Sequence, residues 1–157
     1  MLTYRAFFDL LDFPHPDLFD EDEWVWEALN RLPAYLHGWG NRPGYTTQES
    51  RILGSVSSSA RLHGDSIFIG RGSVIEDGVT IHGPTIIGDH CEVRQGAYIR
   101  GNTIIGDLSQ TGCNCVTNPG TLIGRNSLIY PNAIKKGYIP DNSVVKLRQQ
   151  TDIVARR

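Results

Sequence analysis

Four side chains in the middle of the chain have the chemistry of a proton-transfer or anion-binding site. His82 and His90 are candidate bases, because an imidazole gains and loses a proton near neutral pH. Arg94 and Arg100 can each donate several hydrogen bonds to a carboxylate or a phosphate. Further polar side chains that could orient a substrate are Tyr98, Asn102 and Asn118. These residues can act together only if the fold stacks the segments that carry them.

The three cysteines, Cys91, Cys113 and Cys115, do not indicate a disulfide framework. They are few and closely spaced, which suits a reducing compartment. Cys113 and Cys115 could form half of a metal site, but the chain has no second cysteine pair and its histidines lie elsewhere. Because structural zinc needs four ligands at recognisable spacing, we predict no metal site.

Composition and charge disfavour several classes of partner. The formal net charge is −2 with acidic and basic residues interspersed, a pattern that favours neither nucleic acid nor an anionic membrane surface. The apolar runs are only a few residues long, and the N-terminus lacks a signal-peptide pattern. We therefore expect a cytoplasmic protein without a nucleic-acid or membrane partner.

Downstream of the N-terminal region, a period of six residues runs through the chain. Branched aliphatic residues recur at Ile69, Ile75, Ile81, Ile87, Val93, Ile99 and Ile105. Mostly small residues follow each of them after four positions, at Ser73, Val79, Thr85, Cys91, Ala97, Thr103 and Ser109. The phase continues through Thr111 and Thr117 to Ile123. Such a unit fits a short strand followed by a tight corner that accepts only a small inward side chain.

Three of these units close one triangular coil, so each strand should pair with the strand eighteen residues later. The sequence therefore predicts an all-β fold, a single-stranded parallel β-helix of about five coils over residues 51–146. Cys91 and Cys115 fall at inward corner positions, where cysteine behaves as a small buried hydrophobe.

The ends of the chain do not follow the period. We predict an N-terminal helical cap and linker over residues 1–50 and a C-terminal tail over residues 147–157. Asp20 and Glu23 resemble a capping box, and the apolar residues after them predict a helix over residues 21–37 that could break at Pro33. This helix would cover the open end of the first coil.

Outward side chains of the predicted coils stack into ladders, because strand side chains alternate. The first face carries an apolar stripe beside a track of glycines, and the stripe consists of Phe68, Ile86, Ile104 and Leu122. A monomer would not leave this stripe in water, so we expect another subunit to cover it, with the N-terminal helix as the alternative. On the second face Glu76 lies beside Arg94, and the third face stacks His82, Arg100 and Asn118.

The repeat resembles the hexapeptide-repeat acyltransferase superfamily, whose members form left-handed parallel β-helices and are usually homotrimers. Two segments look like the C-terminal domain of nucleotide-sugar pyrophosphorylase-like proteins: EVRQGAYIRGN (residues 92–102) and TNPGTLIGRNSLIYPNAIKKGYIPDNSVVK (residues 117–146). The bifunctional N-acetylglucosamine-1-phosphate uridylyltransferase is a more distant relation. The resemblance covers residues 56–145 and implies a left-handed helix and a homotrimer.

The resemblance also implies transfer of an acyl group from acetyl-CoA or another acyl-CoA to a sugar or nucleotide-sugar, without a metal. This reaction needs a base and hydrogen-bond donors for the thioester oxygen. We assign His82 as the base, with His90 as its substitute, and the resemblance places Arg94 against a sugar phosphate. The residues expected to orient the acceptor are Tyr98, Arg100, Asn102 and Asn118. The residues expected to meet CoA phosphates are Lys135 and Lys136.

Two other functions stay open. One is a non-catalytic trimeric scaffold, or a regulatory tail of a nucleotide-sugar pyrophosphorylase system. The absence of the His-x-x-Tyr-x-Gly-Asp segment of the bifunctional enzyme's acetyltransferase domain favours it. The other is a γ-class carbonic anhydrase, which holds zinc with three histidines on the same kind of helix. Its support is weaker, because His63, His82 and His90 do not have the required spacing.

Overall fold

The computed structural model describes residues 3–44 and 47–147, and its dominant feature is a parallel β-solenoid. Within that part of the chain the strands are β1 (Ser55–Val56), β2 (Arg61–His63), β3 (Ile67–Ile69), β4 (Val74–Ile75), β5 (Thr80–His82), β6 (Thr85–Ile87), β7 (Glu92–Val93), β8 (Tyr98–Ile99), β9 (Thr103–Ile105), β10 (Gln110–Thr111), β11 (Val116–Ile123), β12 (Leu128–Ile129), β13 (Ile134–Ile139) and β14 (Val144–Val145). The predicted parallel β-helix of about five coils is confirmed.

Helices occur before the solenoid. They are α1 (Glu27–Gly40), the short α2 (Gln48–Arg51), and single 3₁₀ turns at Tyr4–Ala6 and Pro16–Leu18. None of the helices in the described ranges is long and apolar enough to cross a membrane. The predicted C-terminal tail, apart from Leu147, lies outside the described residues.

The six-residue unit fixes the pairing of the strands. Through the middle coils Phe68 lies opposite Ile86, Ile86 opposite Ile104, and Ile104 opposite Leu122, always eighteen residues apart. The second face is a sheet with the strand order β1, β4, β7, β10, β12 and β14. The first and third faces share one sheet, because β11 and β13 continue around the corner between them.

The inward aliphatic series fills the axis of the solenoid. Its buried members include Ile69, Ile75, Ile81, Ile87, Val93, Ile99, Ile105, Ile123 and Ile129. Cys91 and Cys115 are fully buried at corners, as predicted. Burial raises the pKa of the Cys91 thiol to about 12 and that of the Cys115 thiol to about 11. Because the thiolate is the reactive form, both cysteines serve packing.

Close stacking of the coils requires the glycine track of the first face. A Cβ atom at Gly88 would lie 2.2 Å from the Oδ1 of Asp107, and one at Gly106 would lie 2.7 Å from the backbone nitrogen of Arg125. The Asp107 carboxylate accepts the backbone N–H of Asp89 at 2.7 Å, which ties one coil to the next. Burial of this carboxylate raises the pKa of Asp107.

Helix α1 starts later than the predicted residue 21. The carboxylate of Asp20 accepts the N–H of Asp22 at 2.9 Å, a local turn that competes with helical hydrogen bonding. Glu23 pairs with Arg31 and does not cap the helix. The predicted capping box is therefore wrong, because both of its side chains have other partners.

Pro33 lies inside α1 and does not break the helix. A proline removes one backbone hydrogen bond of a helix, but packing of the opposite side can offset that loss. The buried residues of α1 are Ala28, Leu29, Leu32, Leu36 and Trp39. Pro33 itself is exposed, so its ring does not disturb this packing.

The N-terminal segment covers the apolar stripe of the first face. The Trp39 ring lies 5.2 Å from the Phe68 ring, and the Trp26 ring lies 6.0 Å from the Tyr138 ring. The stripe and the buried side of α1 form one cluster with Phe8, Phe13 and Leu18. The expectation that another subunit covers the stripe is therefore wrong. The helix also lies along the face and not over the open first coil.

The length of α1 matches the height of the solenoid. From Trp26 to Trp39 the helix rises about 20 Å at about 1.5 Å per residue. Tyr138 and Phe68 are separated by four coil steps. These steps amount to about 19 Å at about 4.8 Å each. The segment before the helix is fixed to the last coil, where the Asp141 N–H donates to the Phe7 carbonyl at 2.9 Å.

Candidate functional site

The third face carries a polar ladder with one rung from each coil. Leu62 pairs with Ile81, Ile81 with Ile99, and Ile99 with Thr117, so the residue after each of them projects outward. The polar ladder, in coil order, is His63, His82, Arg100, Asn118 and Lys136. The predicted stacking of His82, Arg100 and Asn118 is thus present.

His82 lies between an imidazole and a phenol. Its ring stacks on the ring of His63 with centroids 4.5 Å apart and an interplanar angle of 11°. Its Nε2 lies 3.4 Å from the Tyr98 hydroxyl, at the long end of hydrogen bonding. His82 is half-buried, whereas Tyr98 and His63 are exposed. The group is therefore accessible to a molecule bound on the face.

A hydrogen bond joins the next two rungs of the polar ladder, Arg100 and Asn118. The Nη1 of Arg100 donates to the Asn118 Oδ1 at 2.9 Å, and this bond links two neighbouring coils. Asn102 lies at the following corner with a positive φ of 41°, and its backbone carbonyl accepts the Gly120 N–H at 3.0 Å. Its Oδ1 is buried and has no hydrogen-bond partner among the described residues. Asn102 therefore shapes the corner and keeps one acceptor unsatisfied.

The two lysines of the last coil lie in different environments. Lys135 pairs in register with the inward residue Thr117 and is half-buried, whereas Lys136 is exposed. The Cε atom of Lys136 lies 3.5 Å from where a Cβ of Gly120 would be, so its side chain runs towards the preceding coil. Lys136 is thus the lysine that presents its charge beside Asn118.

His90 and Arg94 lie away from His82. His90 occupies the corner between the first and second faces with a φ of 53°, and its Nδ1 lies 2.3 Å from where a Cβ of Gly72 would be. Arg94 lies on the second face and donates to the Glu76 Oε1 at 2.8 Å, with Glu92 3.5 Å away. The hydrogen bond from Arg94 lowers the pKa of Glu76. The structure therefore does not bring these two residues into the group around His82.

The stacking of His63 on His82 was not predicted from the sequence. The two histidines are nineteen residues apart, because the first coil contains one extra residue before Ile69. A strict eighteen-residue step therefore misses the pair. The extra residue was itself visible in the spacing from Leu62 to Ile69, and correcting the step for it would have placed His63 beside His82.

The side chains that could bind a metal ion do not come together in the described part of the chain. In residues 3–44 and 47–147 no group of three or more His, Cys, Asp or Glu side chains is placed to hold a metal ion. His63 and His82 are neighbours, but His90 lies at a different corner of the coil. Cys115 is buried and Cys113 is exposed, so they do not face a common site. These donors do not form the three-histidine set of a catalytic zinc site.

A family match covers the coils that carry His82 and Tyr98. Residues 66–101 match the family described as Bacterial transferase hexapeptide (six repeats). These residues are therefore similar to hexapeptide repeats of that family. The match extends over two coils only, and no curated protein matches the chain.

Several solved structures are similar to this chain. The acetyltransferase domain of PglB from Neisseria gonorrhoeae is 25% identical, with a TM-score of 0.41, and the alignment covers 59% of this chain and 50% of that one. PerB from Caulobacter crescentus, in complex with CoA and GDP-perosamine, is 20% identical over 73% of this chain and 61% of that one, with a TM-score of 0.43. A variant of AntD, an N-acyltransferase from Bacillus cereus bound to dTDP and coenzyme A, is 16% identical over 71% and 90%, with a TM-score of 0.44.

The chain thus spans half the length of the PglB domain that it matches. All three TM-scores are below 0.5, so these similarities carry no weight for the activity of this chain.

Proposed function

We propose that this protein is a cytoplasmic acyl-CoA-dependent transferase that moves an acetyl group to a sugar or nucleotide-sugar, without a metal. The observation that supports it is the exposed group in which the His82 Nε2 lies 3.4 Å from the Tyr98 hydroxyl. This group lies within the transferase-type repeats of residues 66–101. Acyl transfer needs a base and hydrogen-bond donors side by side, and these residues supply both.

In the proposed reaction His82 accepts a proton from the acceptor as its oxygen or nitrogen attacks the thioester carbonyl carbon. The new acyl bond forms, the carbon–sulfur bond breaks, and the proton passes from His82 to the departing CoA sulfur. The Tyr98 hydroxyl donates a hydrogen bond to the thioester oxygen as it gains charge. Arg100 and Asn118 orient the acceptor, together with Asn102 at the following corner.

Phosphate groups would be bound by basic residues on two different faces of the solenoid. We assign Lys136 to the CoA phosphates, with Lys135 adding positive charge to the same coil. Arg94 is assigned to a sugar phosphate, which would replace Glu76 as its partner. This change of partner costs little free energy, because exposed ion pairs contribute about 0 to 1 kcal/mol. His90 stays the substitute base for an acceptor bound at its corner.

We also propose that the protein is a homotrimer, with the third face at the interface. The first face is covered by the chain's own N-terminal segment, so it is not free for a partner subunit. On the third face Ile134 is 68% exposed and Tyr98 38% exposed, and a second copy would bury them. Light scattering in solution tests this part: a monomer would contradict it.

The first test is a calorimetric titration with acetyl-CoA, followed by assays with amino sugars and nucleotide-linked amino sugars. We expect saturable binding, and we expect His82→Ala to lower kcat by at least about 100-fold while leaving the fold intact. His37→Ala, which removes an exposed histidine of α1, is the matched control and should retain the activity of the unmodified protein. Full activity of His82→Ala with loss in His90→Ala would move the base to His90.

The alternative is a non-catalytic scaffold or a regulatory tail of a nucleotide-sugar pyrophosphorylase system. One observation favours it: Arg94 and Arg100 already have partners within the chain, Glu76 and Asn118. Absence of heat and of a thermal shift at millimolar acetyl-CoA would support this alternative and overturn the transferase.

A further inference from the structure

Three aromatic rings form a stack where the N-terminal segment meets the last coil. The rings of Trp24 and Trp26 are 4.7 Å apart with an interplanar angle of 11°. The Trp26 ring in turn lies 6.0 Å from the Tyr138 ring at an interplanar angle of 29°. We call these three residues the aromatic platform. Trp26 is the member of the platform that contacts both other rings.

The outer ring of the aromatic platform is open to solvent. Trp24 is 41% exposed although its ring stacks on that of Trp26. Trp24 is not among the buried residues that hold α1 on the first face. The buried packing of α1 on the first face therefore does not account for an indole at this position.

The surroundings of the aromatic platform are acidic. Among the described residues, the ion pairs of this segment are Arg5 with Glu21 and Arg31 with Glu23. Between residues 20 and 27 the carboxylates outside these ion pairs are those of Asp20, Asp22 and Glu27. Glu27 lies one turn after Trp24, with its backbone N–H donating to the Trp24 carbonyl at 2.9 Å, and it contributes, after burial, to raising the pKa of Tyr138. Its Oε2 accepts a hydrogen bond from the Asn30 amide at 2.9 Å, which fixes the carboxylate in place.

We propose that the aromatic platform binds an amine-bearing saccharide, with a pyranose ring on the exposed indole of Trp24 and its ammonium group directed to Glu27. Aromatic faces attract cations through the ring quadrupole, and a fixed carboxylate adds a direct partner for the ammonium. The same negative surroundings repel phosphate groups, so a nucleotide is disfavoured on this surface.

The aromatic platform is separate from the polar ladder of the third face. Tyr138 follows Lys136 by two residues, across the corner at Gly137 with its φ of 99°. Lys136 itself runs towards Gly120 and the preceding coil. The saccharide subsite therefore stands whether or not His82 acts as a base, and its test does not depend on catalysis.

The test is a titration of the full chain with the trisaccharide of β-1,4-linked glucosamine, followed by calorimetry and tryptophan fluorescence at slightly acidic pH. The N-acetylated trisaccharide, which has the same rings without the charge, is the comparison ligand. We expect saturable binding of the amine form with a Kd at least about tenfold lower than that of the N-acetylated form.

Two variants and one control locate the site. Trp24→Ala should raise the Kd at least about tenfold, and Glu27→Gln should remove the preference for the amine form. Tyr130→Ala is the matched control, because it removes another exposed aromatic ring, on the second face, and should leave the Kd unchanged. Thermal unfolding of each variant checks the fold.

Three results would overturn the assignment. They are absence of saturable binding at about 10 mM trisaccharide, which is weaker than most specific binding; equal affinity for both sugars; and an unchanged Kd in Trp24→Ala. Any of them would leave the aromatic platform as a clasp between the N-terminal segment and the last coil.

Discussion

The first and third faces are built from the same repeat and the same strand register, yet they meet different surroundings. On the first face Ile104 is followed by inward Ile105 and then by Gly106, and on the third face Tyr98 is followed by inward Ile99 and then by Arg100. The first face is covered by α1, whereas the third presents polar side chains to solvent. The inward residue of each unit fills the axis of the coil. The two residues beside it determine whether the face packs against another element or presents polar side chains that could bind a ligand.

The first face contributes mainly to folding stability, and the third face carries the polar groups that could do chemistry. The glycine track lets backbone segments approach closely, and the apolar stripe beside it gives α1 its contact. The polar ladder makes hydrogen bonds between coils but leaves its side chains accessible. Substitutions at equivalent positions of the two faces should therefore have very different effects on folding.

The largest effect is expected at the glycine track. Gly106→Val would place a Cβ 2.7 Å from the Arg125 nitrogen, a backbone contact that cannot yield. We expect a loss of more than about 4 kcal/mol in the free energy of unfolding, measured in urea. Arg100→Val, the equivalent change on the third face, should cost less than about 1 kcal/mol. Similar losses at both positions would contradict the division between the faces.

The apolar stripe should give the next effect. Leu122 is 2% exposed and packs against the buried side of α1, so Leu122→Ala should lower the free energy of unfolding by about 3 to 4 kcal/mol. Val116 occupies the equivalent position on the third face and is only half-buried. Val116→Ala should cost no more than about 1 kcal/mol, because its side chain loses little packing. Equal costs would mean that α1 does not cover the stripe in solution.

A smaller effect, which depends on pH, is expected under α1. His15 is fully buried, its Nδ1 lies 3.1 Å from the Tyr35 hydroxyl, and its Nε2 has no hydrogen-bond partner within the described ranges. Burial, followed by the charge of Arg42, lowers the pKa of His15 to about 4. The unfolded chain therefore binds a proton more readily than the folded chain between about pH 6.5 and pH 4.

Folding stability should consequently be complete above about pH 6.5 and fall by up to about 3 kcal/mol as the pH drops to about 4. His15→Phe keeps a ring in the aromatic surroundings and removes the proton, so it should lose this part of the pH dependence. Urea unfolding across the pH range measures both. An unchanged slope in His15→Phe would show that other groups cause the acid sensitivity.

The solenoid could be predicted from the sequence because its rule is local and repeated. Each aliphatic residue and each small corner residue carries the same information, and the phase survived even where Thr111 and Thr117 replace aliphatics. The stacking of His82, Arg100 and Asn118 followed from that phase alone. These parts needed no knowledge of the N-terminal segment.

The remaining features depend on contacts that the repeat does not encode. An apolar stripe shows that something must cover it, but a helix of the same chain and a second subunit satisfy that need equally. The start of α1 was misplaced because the turn at Asp20 competes with a helical cap. His63 was missed because one extra residue shifts the first coil. Arg94 could be placed on its face, but its pairing with Glu76 left its availability to a substrate undecided.

Repeat proteins ordinarily gain or lose units with ease, since each unit contacts only its neighbours. Here α1 joins Tyr138 in the last coil to Phe68 near the first, over a distance that its own length matches. An inserted coil would leave one rung of the stripe uncovered, and a deleted coil would leave helix overhanging the end. The length of the helix thus matches one number of coils only, and it makes that number a fixed property of this protein.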